Sequence, residues 1–376
     1  MRLRRILIGL LAPVFAIVLA LVVSSLAVLL IHQSPVAAFK DMAQFGIRTD
    51  SLIYTVNTAI PLFLSGLAVA IGFKMGLFNI GVEGQYTLAA LLAAYVGARV
   101  ALPAVLHVAF ILLVAMIVGA VLAGAAGALK VTRGVHEVIS TIMLNYIALG
   151  VTGYLLRTRL SQHNPPGDFV TKTKLLAASG VLPSLNRVLH SLGVHPPLGS
   201  DLYGFLPIAI AVGVAYYILV WRTGFGYDLR ATGVNAAAAQ VSGVNPGQMI
   251  MKTMLLSGAI AGLVGMPELL GVFHRYSIEF TTGLGFTGIA VALVGRNNPV
   301  GIAFAALLFG FLERSAQILD LEGIPKEIAV IMQGVIILSV VIAYEVVRRV
   351  VQAQEVRAAA EKSKGLGPTP REEDAA

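Results

Sequence analysis

Cysteine is absent from the 376 residues, which excludes disulfides and thiolate metal sites and leaves no basis for reading a redox compartment. Charge is scarce: Asp, Glu, Lys and Arg make up 12% of the chain, against about 25% in an ordinary soluble domain. No G-x-x-x-x-G-K-[ST] phosphate loop occurs, so the chain cannot bind ATP in the Walker manner. The stretch HEVIS, 136–140, lacks the second histidine of a HEXXH zinc site, which excludes metalloprotease chemistry of that type. No Ser-His-Asp, paired-carboxylate or His-rich arrangement marks an embedded enzyme. The net charge of +8 has no soluble basic face to carry it. Nucleic-acid binding is therefore not expected, and anchoring of helix ends at the cytoplasmic surface accounts for the excess.

What is present is apolar. Hydrophobic residues make up 57% of the chain and the mean hydropathy is +0.85, the composition of an all-α integral membrane protein. A helix needs about 20 apolar residues to cross a hydrocarbon core of roughly 30 Å. By length, apolarity and flanking charge, about ten transmembrane segments are expected. They run from Ile6 to Ile31, Ile53 to Phe73, Glu83 to Ala98, Ala101 to Leu129, Val138 to Leu156, Leu202 to Trp221, Met254 to Phe273, Thr282 to Val294, Val300 to Ile318 and Glu327 to Val347. The first begins like a secretory signal, but its apolar run is about twice the length of a cleaved one, so it reads as a retained helix. An even number puts both termini on one side, and arginines at 2, 4, 5, 348, 349 and 357 place that side in the cytoplasm. Lys74, Lys130, Arg133, Arg222, Arg230, Lys252 and Arg296 then fall at cytoplasmic junctions, while Lys40, Arg48, Arg99 and five basic residues between Arg157 and Asp201 run against the bias. The expected organisation is a permease domain over 1–350, with an exterior loop at 157–201 and a cytoplasmic loop at 222–252, followed by a solvated, disordered cytoplasmic tail at 351–376. The exterior loop carries one weakly amphipathic run near Leu182 to Leu192 and reads as a cap or docking surface.

Two segments are too short to cross a bilayer alone. Glu83 to Ala98 gives roughly 24 Å and Thr282 to Val294 roughly 20 Å at 1.5 Å per residue. Each adjoins a glycine-rich break, MGLFNIGVEGQ in the first half and TTGLGFTG in the second. Aligning Gly81-Val-Glu-Gly84 with Gly285-Phe-Thr-Gly288 makes two inverted halves with interrupted helices, the sequence pointer to a solute site at membrane depth. Unwound backbone is tolerated in a membrane only inside protein or beside a watery cavity. Asn79, Glu83 and Gln85 are accordingly expected to face a solute path, with Phe78, Phe286 and Thr287 beside them. The plainer alternative is a tight turn in which Glu83 favours the start of the next helix. Glu137, Thr141 and Asn145 recur every four residues and share one face of an otherwise apolar helix. That face either packs against other helices or lines the same path.

The loop RTGFGYDLRATGVNAAAAQVSGVNPGQMIMK, 222–252, contains one short helix with its own signals: Asn235 as N-cap, an alanine run from Ala236 to Ala239, and Gly243 before Pro246 at its end. So short a helix is marginal alone and needs something to pack against. Its alanines and valines lack the bulky face of an interfacial helix.

GYDLRATGVNAAAAQVSGVNPGQMIMKTMLLSGAIAGLVG resembles the cytoplasmic loop and following helix of permease subunits of bacterial ABC importers in the branched-chain amino acid, ribose and simple-sugar group. GLFNIGVEGQYTLAA, HEVISTIMLNYIALG and GFTGIAVALVGRNNPVGIAFAALLFG look more narrowly like permeases of nucleoside importers, and the four blocks cover most of Gly66 to Leu312. The resemblance implies that Asp228, Arg230, Gly233, Asn235, Ala238 and Gly243 belong to a coupling helix that docks into a separate ATPase. It implies a second permease subunit and an extracytoplasmic solute-binding protein as partners, with ATP and magnesium bound by the ATPase and no cofactor or metal on this chain. The function implied is translocation of a small polar solute such as a nucleoside by alternating access, within a multi-pass protein of the bacterial inner membrane and its lipid. The competing reading is an ion-coupled secondary transporter, whose acidic candidates are Glu83, Glu137, Glu268 and Glu313.

Overall fold

A computed structural model describes residues 18–162 and 169–340, together with Ile342 and Arg349. The expected start of the first segment, Ile6 to Ile17, and the expected tail, 351–376, lie outside the described residues. Among the described residues the regular secondary structure is helical, with one isolated antiparallel bridge, Lys172 with Ser277. In chain order the helices are α1 (Val18–Leu30), α2 (Pro35–Gly46), α3 (Thr49–Lys74), α4 (Val82–Gly97), α5 (Ala104–Arg133), α6 (Glu137–Leu155), α7 (Asn186–Ser191), α8 (Leu206–Arg222), α9 (Gly224–Val234), α10 (Ala236–Val241), α11 (Pro246–Gly262), α12 (Met266–Glu268), α13 (Leu284–Val294), α14 (Pro299–Leu321) and α15 (Ile328–Val340). The described residues between Phe39 and Lys326 form one compact unit, and the described residues of the two chain ends, 18–38 and 327–340, belong to another.

By length and apolar composition, five described helices can cross a membrane: α3, α5, α6 with its π turn Leu156–Leu160, α11 continued through α12 to Phe273, and α14. The number rises to seven when each of two bent pairs counts as one span. One of these pairs is α8 with α9, bent by 69°. The seventh expected segment needs correcting. Its helix starts at Pro246, where proline at the first turn costs no hydrogen bond, breaks at 263–265, and resumes through α12 into a π turn, Leu269–Phe273. α2 and α9 answer to no expected element.

Local signals explain most boundaries. Thr223, Asn235, Asn245 and Asn298 each accept a backbone N–H in the first turn of α9, α10, α11 and α14, the usual satisfaction of orphan donors at a helix start. Gly134, in the left-handed region at φ 68°, closes α5.

The bundle is organised around α3, which packs against α8, α11, α13 and α14 and is largely buried. The closest crossing is α5 on α11. A Cβ on Gly119 would overlap the Gly258 carbonyl oxygen, and one on Gly262 the Ala115 carbonyl oxygen. Small residues at a crossing let two membrane helices approach backbone to backbone, where dispersion rather than water exclusion supplies the attraction. At the start of α3, Arg314 of α14 is fully used. Its guanidinium reaches Asp50 at 2.9 Å, Ser51 at 3.2 Å and Gln317 at 2.6 Å, and lies over the rings of Phe45 and Tyr54.

Candidate functional site

Between α3 and α4 the chain runs without helix from Met75 to Gly81, and this stretch is the centre of the site. Met75, Gly76 and Leu77 still donate their N–H groups back to the Gly72 and Phe73 carbonyls, and beyond them side chains take over. Phe78 N–H donates to Glu137 Oε1 at 3.4 Å, Gly81 N–H to Asn79 Oδ1 at 3.0 Å and Gly84 N–H to Asn145 Oδ1 at 2.9 Å. The Ile80 carbonyl accepts from Asn145 Nδ2 at 2.7 Å. The polar face of α6 is thereby explained: Glu137 and Asn145, two turns apart, replace the hydrogen bonds that the broken helix cannot make for itself. Thr141, fully buried between them, turns its hydroxyl onto the Glu137 carbonyl at 2.7 Å and lies against Gly81. Lys130 reaches the Glu137 carboxylate at 2.5 Å.

Asn79 and Gln85 form a reciprocal amide pair. Asn79 Nδ2 donates to Gln85 Oε1 and Gln85 Nε2 donates to Asn79 Oδ1, both at 2.9 Å. Asn79 Nδ2 also donates to Ser257 Oγ at 2.8 Å, and the Ser257 hydroxyl passes on to the Ala68 carbonyl at 2.6 Å. Asn79 and Gln85 are 1% and 3% exposed, so α3, the break, α4 and α11 are knitted by one buried network.

Glu83 joins the two interrupted segments. Its Oε1 accepts from Gly283 N–H at 2.6 Å and Tyr86 O–H at 3.0 Å, and its Oε2 accepts from Gly285 N–H at 2.8 Å. Gly283 caps α13 and Gly285 lies in its first turn. A carboxylate in the first turn of α4 therefore also caps α13, a favourable place for negative charge with respect to both helix dipoles. A Cβ on Gly285 would overlap the Glu83 backbone nitrogen, which explains glycine there.

From the sequence, a solute path accounts for Asn79, Glu83 and Gln85 in an apolar segment. In the structure protein partners account for them. Two aromatic side chains stay exposed, Phe78 in the break at 46% and Phe286 in the first turn of α13 at 54%. Thr287 is half-buried and donates to the Gly283 carbonyl at 3.1 Å. Tyr86 and Ser257, which complete the network, carry no spacing signal in the sequence. Glu268 lies within electrostatic reach of Glu313, Tyr86 and Tyr203, and one of its carboxylate oxygens is buried without a hydrogen-bond partner. An apolar cavity of about 530 Å³ opens between α3, α8 and α14, beside Phe63, Gly213, Tyr217 and Phe304. With no polar group converging on it, it is unsuited to a hydrogen-bonding solute.

The loop of 222–252 holds two helices rather than one. Thr223 caps α9 and Arg230 bonds the Val220 carbonyl, folding α9 back onto the end of α8. Asn235 caps α10, accepting from Ala238 N–H at 3.0 Å, and Gly243 ends it at φ 89°. Asp228 is half-buried and its carbonyl accepts from Thr232. α10 buries only Ala239, leaving Ala236, Ala237 and Ala238 exposed and Val241 92% exposed, with Val234 at the end of α9 89% exposed. Gly233 packs directly on the end of α3: a Cβ there would lie 2.5 Å from the Lys74 carbonyl oxygen and 2.8 Å from Met75 Cα. The exposed loop thus abuts the first residue of the break.

A helical membrane bundle in which two short helices meet at their starts and a helical loop rests on the break between α3 and α4 is an arrangement suited to a transport permease. Residues 51–341 match the family described as branched-chain amino acid transport system, permease component, and the chain belongs to that family. It is a multi-pass inner-membrane permease subunit of the ABC importer type. It is 37% identical to the guanosine ABC transporter permease protein NupP of Bacillus subtilis, over 90% of this chain and 94% of that one. The nucleoside ABC transporter permease protein NupB of Lactococcus lactis is 30% identical over 94% of this chain and 97% of its own. The glucose ABC transporter permease protein TsgB13 of Haloferax volcanii is 34% identical over 88% and 86%.

Proposed function

We propose that this permease carries nucleosides inward by alternating access, powered by a separate ATPase that docks on α9 and α10. The observation that carries the mechanism is the contact of Gly233 with Lys74 and Met75. A push on the exposed loop is delivered to the break between α3 and α4, and through Glu83 to the start of α13. The docking face is supplied by Val234, Ala238 and Val241, held in place by Asn235 and Gly243, with Arg230 and Asp228 fixing α9 beneath it. Phe78, Phe286 and Thr287 line the path, the two rings offering faces on which a base can stack. Asn79, Glu83, Gln85, Glu137, Thr141 and Asn145 hold the unwound backbone in shape around it.

The nucleoside assignment rests on similarity to NupP and NupB along nearly the whole chain; TsgB13 supplies the sugar alternative. The working assembly contains a second permease subunit and an extracytoplasmic binding protein, and ATP with magnesium belongs to the ATPase. Ten segments in two inverted halves, with both ends cytoplasmic, complete the arrangement. The test is reconstitution with the products of the neighbouring genes in lipid nanodiscs. ATP hydrolysis should be stimulated by guanosine and its binding protein, not by glucose, and only when the ATPase is present. Stimulation by glucose alone would overturn the nucleoside assignment. Guanosine uptake by the permease alone, abolished by collapsing ion gradients, would overturn the ATP-driven one.

A further inference from the structure

We infer that Glu83 is a positioning residue that fastens the start of α4 to the start of α13, so that the two interrupted helices move as one rigid body through the transport cycle. The inference deepens the proposed function and rests on its alternating-access reading. Three observations carry it. The carboxylate takes backbone donors on both oxygens, Gly283 at 2.6 Å and Gly285 at 2.8 Å, and Glu83 is only 3% exposed. The backbones of Gly285 and Glu83 are too close for any side chain between them. Tyr86 ties the joint to the loop that enters α13, its hydroxyl lying 3.0 Å from both Glu83 Oε1 and the Thr281 carbonyl oxygen.

Separating the two helices would leave the Glu83 carboxylate, only 3% exposed, and two backbone N–H groups without these partners. Buried polar groups that lose their hydrogen-bond partners are costly to a folded protein. A transport cycle therefore runs more easily if this joint stays shut and the motion occurs around it. The moving partners are then the helices flanking the pair.

The absence of native cysteine makes a direct test simple. Spin labels at Arg99→Cys, just beyond α4, and Thr282→Cys, just before α13, are placed on the complete transporter in nanodiscs. Their separation is measured in the nucleotide-free state and after trapping with ATP and vanadate. One narrow distance, the same in both states, is expected; a shift between states or a second distance would overturn the inference. This measurement needs no solute, so it decides the joint whether or not nucleosides are carried. Radiolabelled guanosine uptake gives the second readout. Glu83→Ala should broaden the label distance and lower the maximal rate about tenfold or more while leaving the KM for guanosine within about twofold. Glu83→Gln, which keeps one acceptor oxygen, should fall between Glu83→Ala and wild type. A raised KM with an unchanged maximal rate would instead make Glu83 a solute contact. If neither variant assembles, the wild-type distance still decides.

Discussion

At the scale of single residues, the site is a case of side chains standing in for a helix. Asn79 uses every hydrogen-bonding position it has: two donors to Gln85 and Ser257, and two acceptances from Gly81 and Gln85. Asn79→Ala strands the Gln85 amide and the Gly81 N–H in a buried setting. An unsatisfied buried group costs about 1–3 kcal/mol, more than the ~0.6 kcal/mol of an average hydrogen bond between membrane helices. Thermal denaturation in detergent should show Asn79→Ala clearly less stable than Ser257→Ala, which leaves the amide pair in place; equal melting of the two would count against the network. The sequence makes these residues visible because a polar side chain in an apolar run needs a reason. It does not say which reason, since a polar atom facing a solute and one facing a broken backbone look the same in one dimension. The four-residue rhythm of Glu137, Thr141 and Asn145 is legible as one face, and its target, the Phe78–Gly84 backbone, only in three dimensions.

At the scale of elements, apolar length finds most of the helices and glycine finds the breaks. The lengths of α4 and α13, 16 and 11 residues, follow from Gly81 and Gly283 at their starts. What apolar length cannot resolve is a helix too short or too polar to span. α2 escapes it, and α9 is hidden because its sequence, GFGYDLRATGV, carries three glycines and no apolar stripe. α9 is stable because it folds back on α8 through Arg230 and rests Gly233 on α3, which are tertiary causes. α10, by contrast, announces itself through Asn235 and its alanines, and its start at Ala236 is where the cap places it. Its exposed face sets a prediction. Ala238→Arg puts a long cation on a face that buries only Ala239 beneath it, so the helix itself tolerates the change. Membrane insertion and thermal stability should be those of wild type, while co-purification of the ATPase is lost. Unaltered co-purification would remove α10 from the docking face.

At the scale of the whole molecule, the remaining proposal is orientation. With the ATPase docked on α9 and α10 as proposed, residues 222–252 face the cytoplasm. α3 then runs inward, since Gly233 meets its last residue, Lys74, and the Asp50 end where Arg314 binds lies outside. α8 runs the same way: Tyr203 just before it bonds Asn57 near the outer part of α3, and Trp221 near its end packs under Lys74. On the same proposal the segment 169–201, with α7, is exterior, although it carries Lys172, Lys174 and Arg187. Charge bias alone reads this loop poorly, because the rule weakens for longer loops, whereas the contacts of α3 and α8 put it at the end of the bundle opposite the 222–252 loop. Alkaline phosphatase inserted at Gly193, a glycine at φ 79° with open space around it, should be active in whole cells. A fluorescent protein fused after Ala376 should fold and fluoresce, as it does only in the cytoplasm. Inactive phosphatase at 193 would reverse the direction of α3 and α8, and with it the side on which α9 and α10 meet the ATPase.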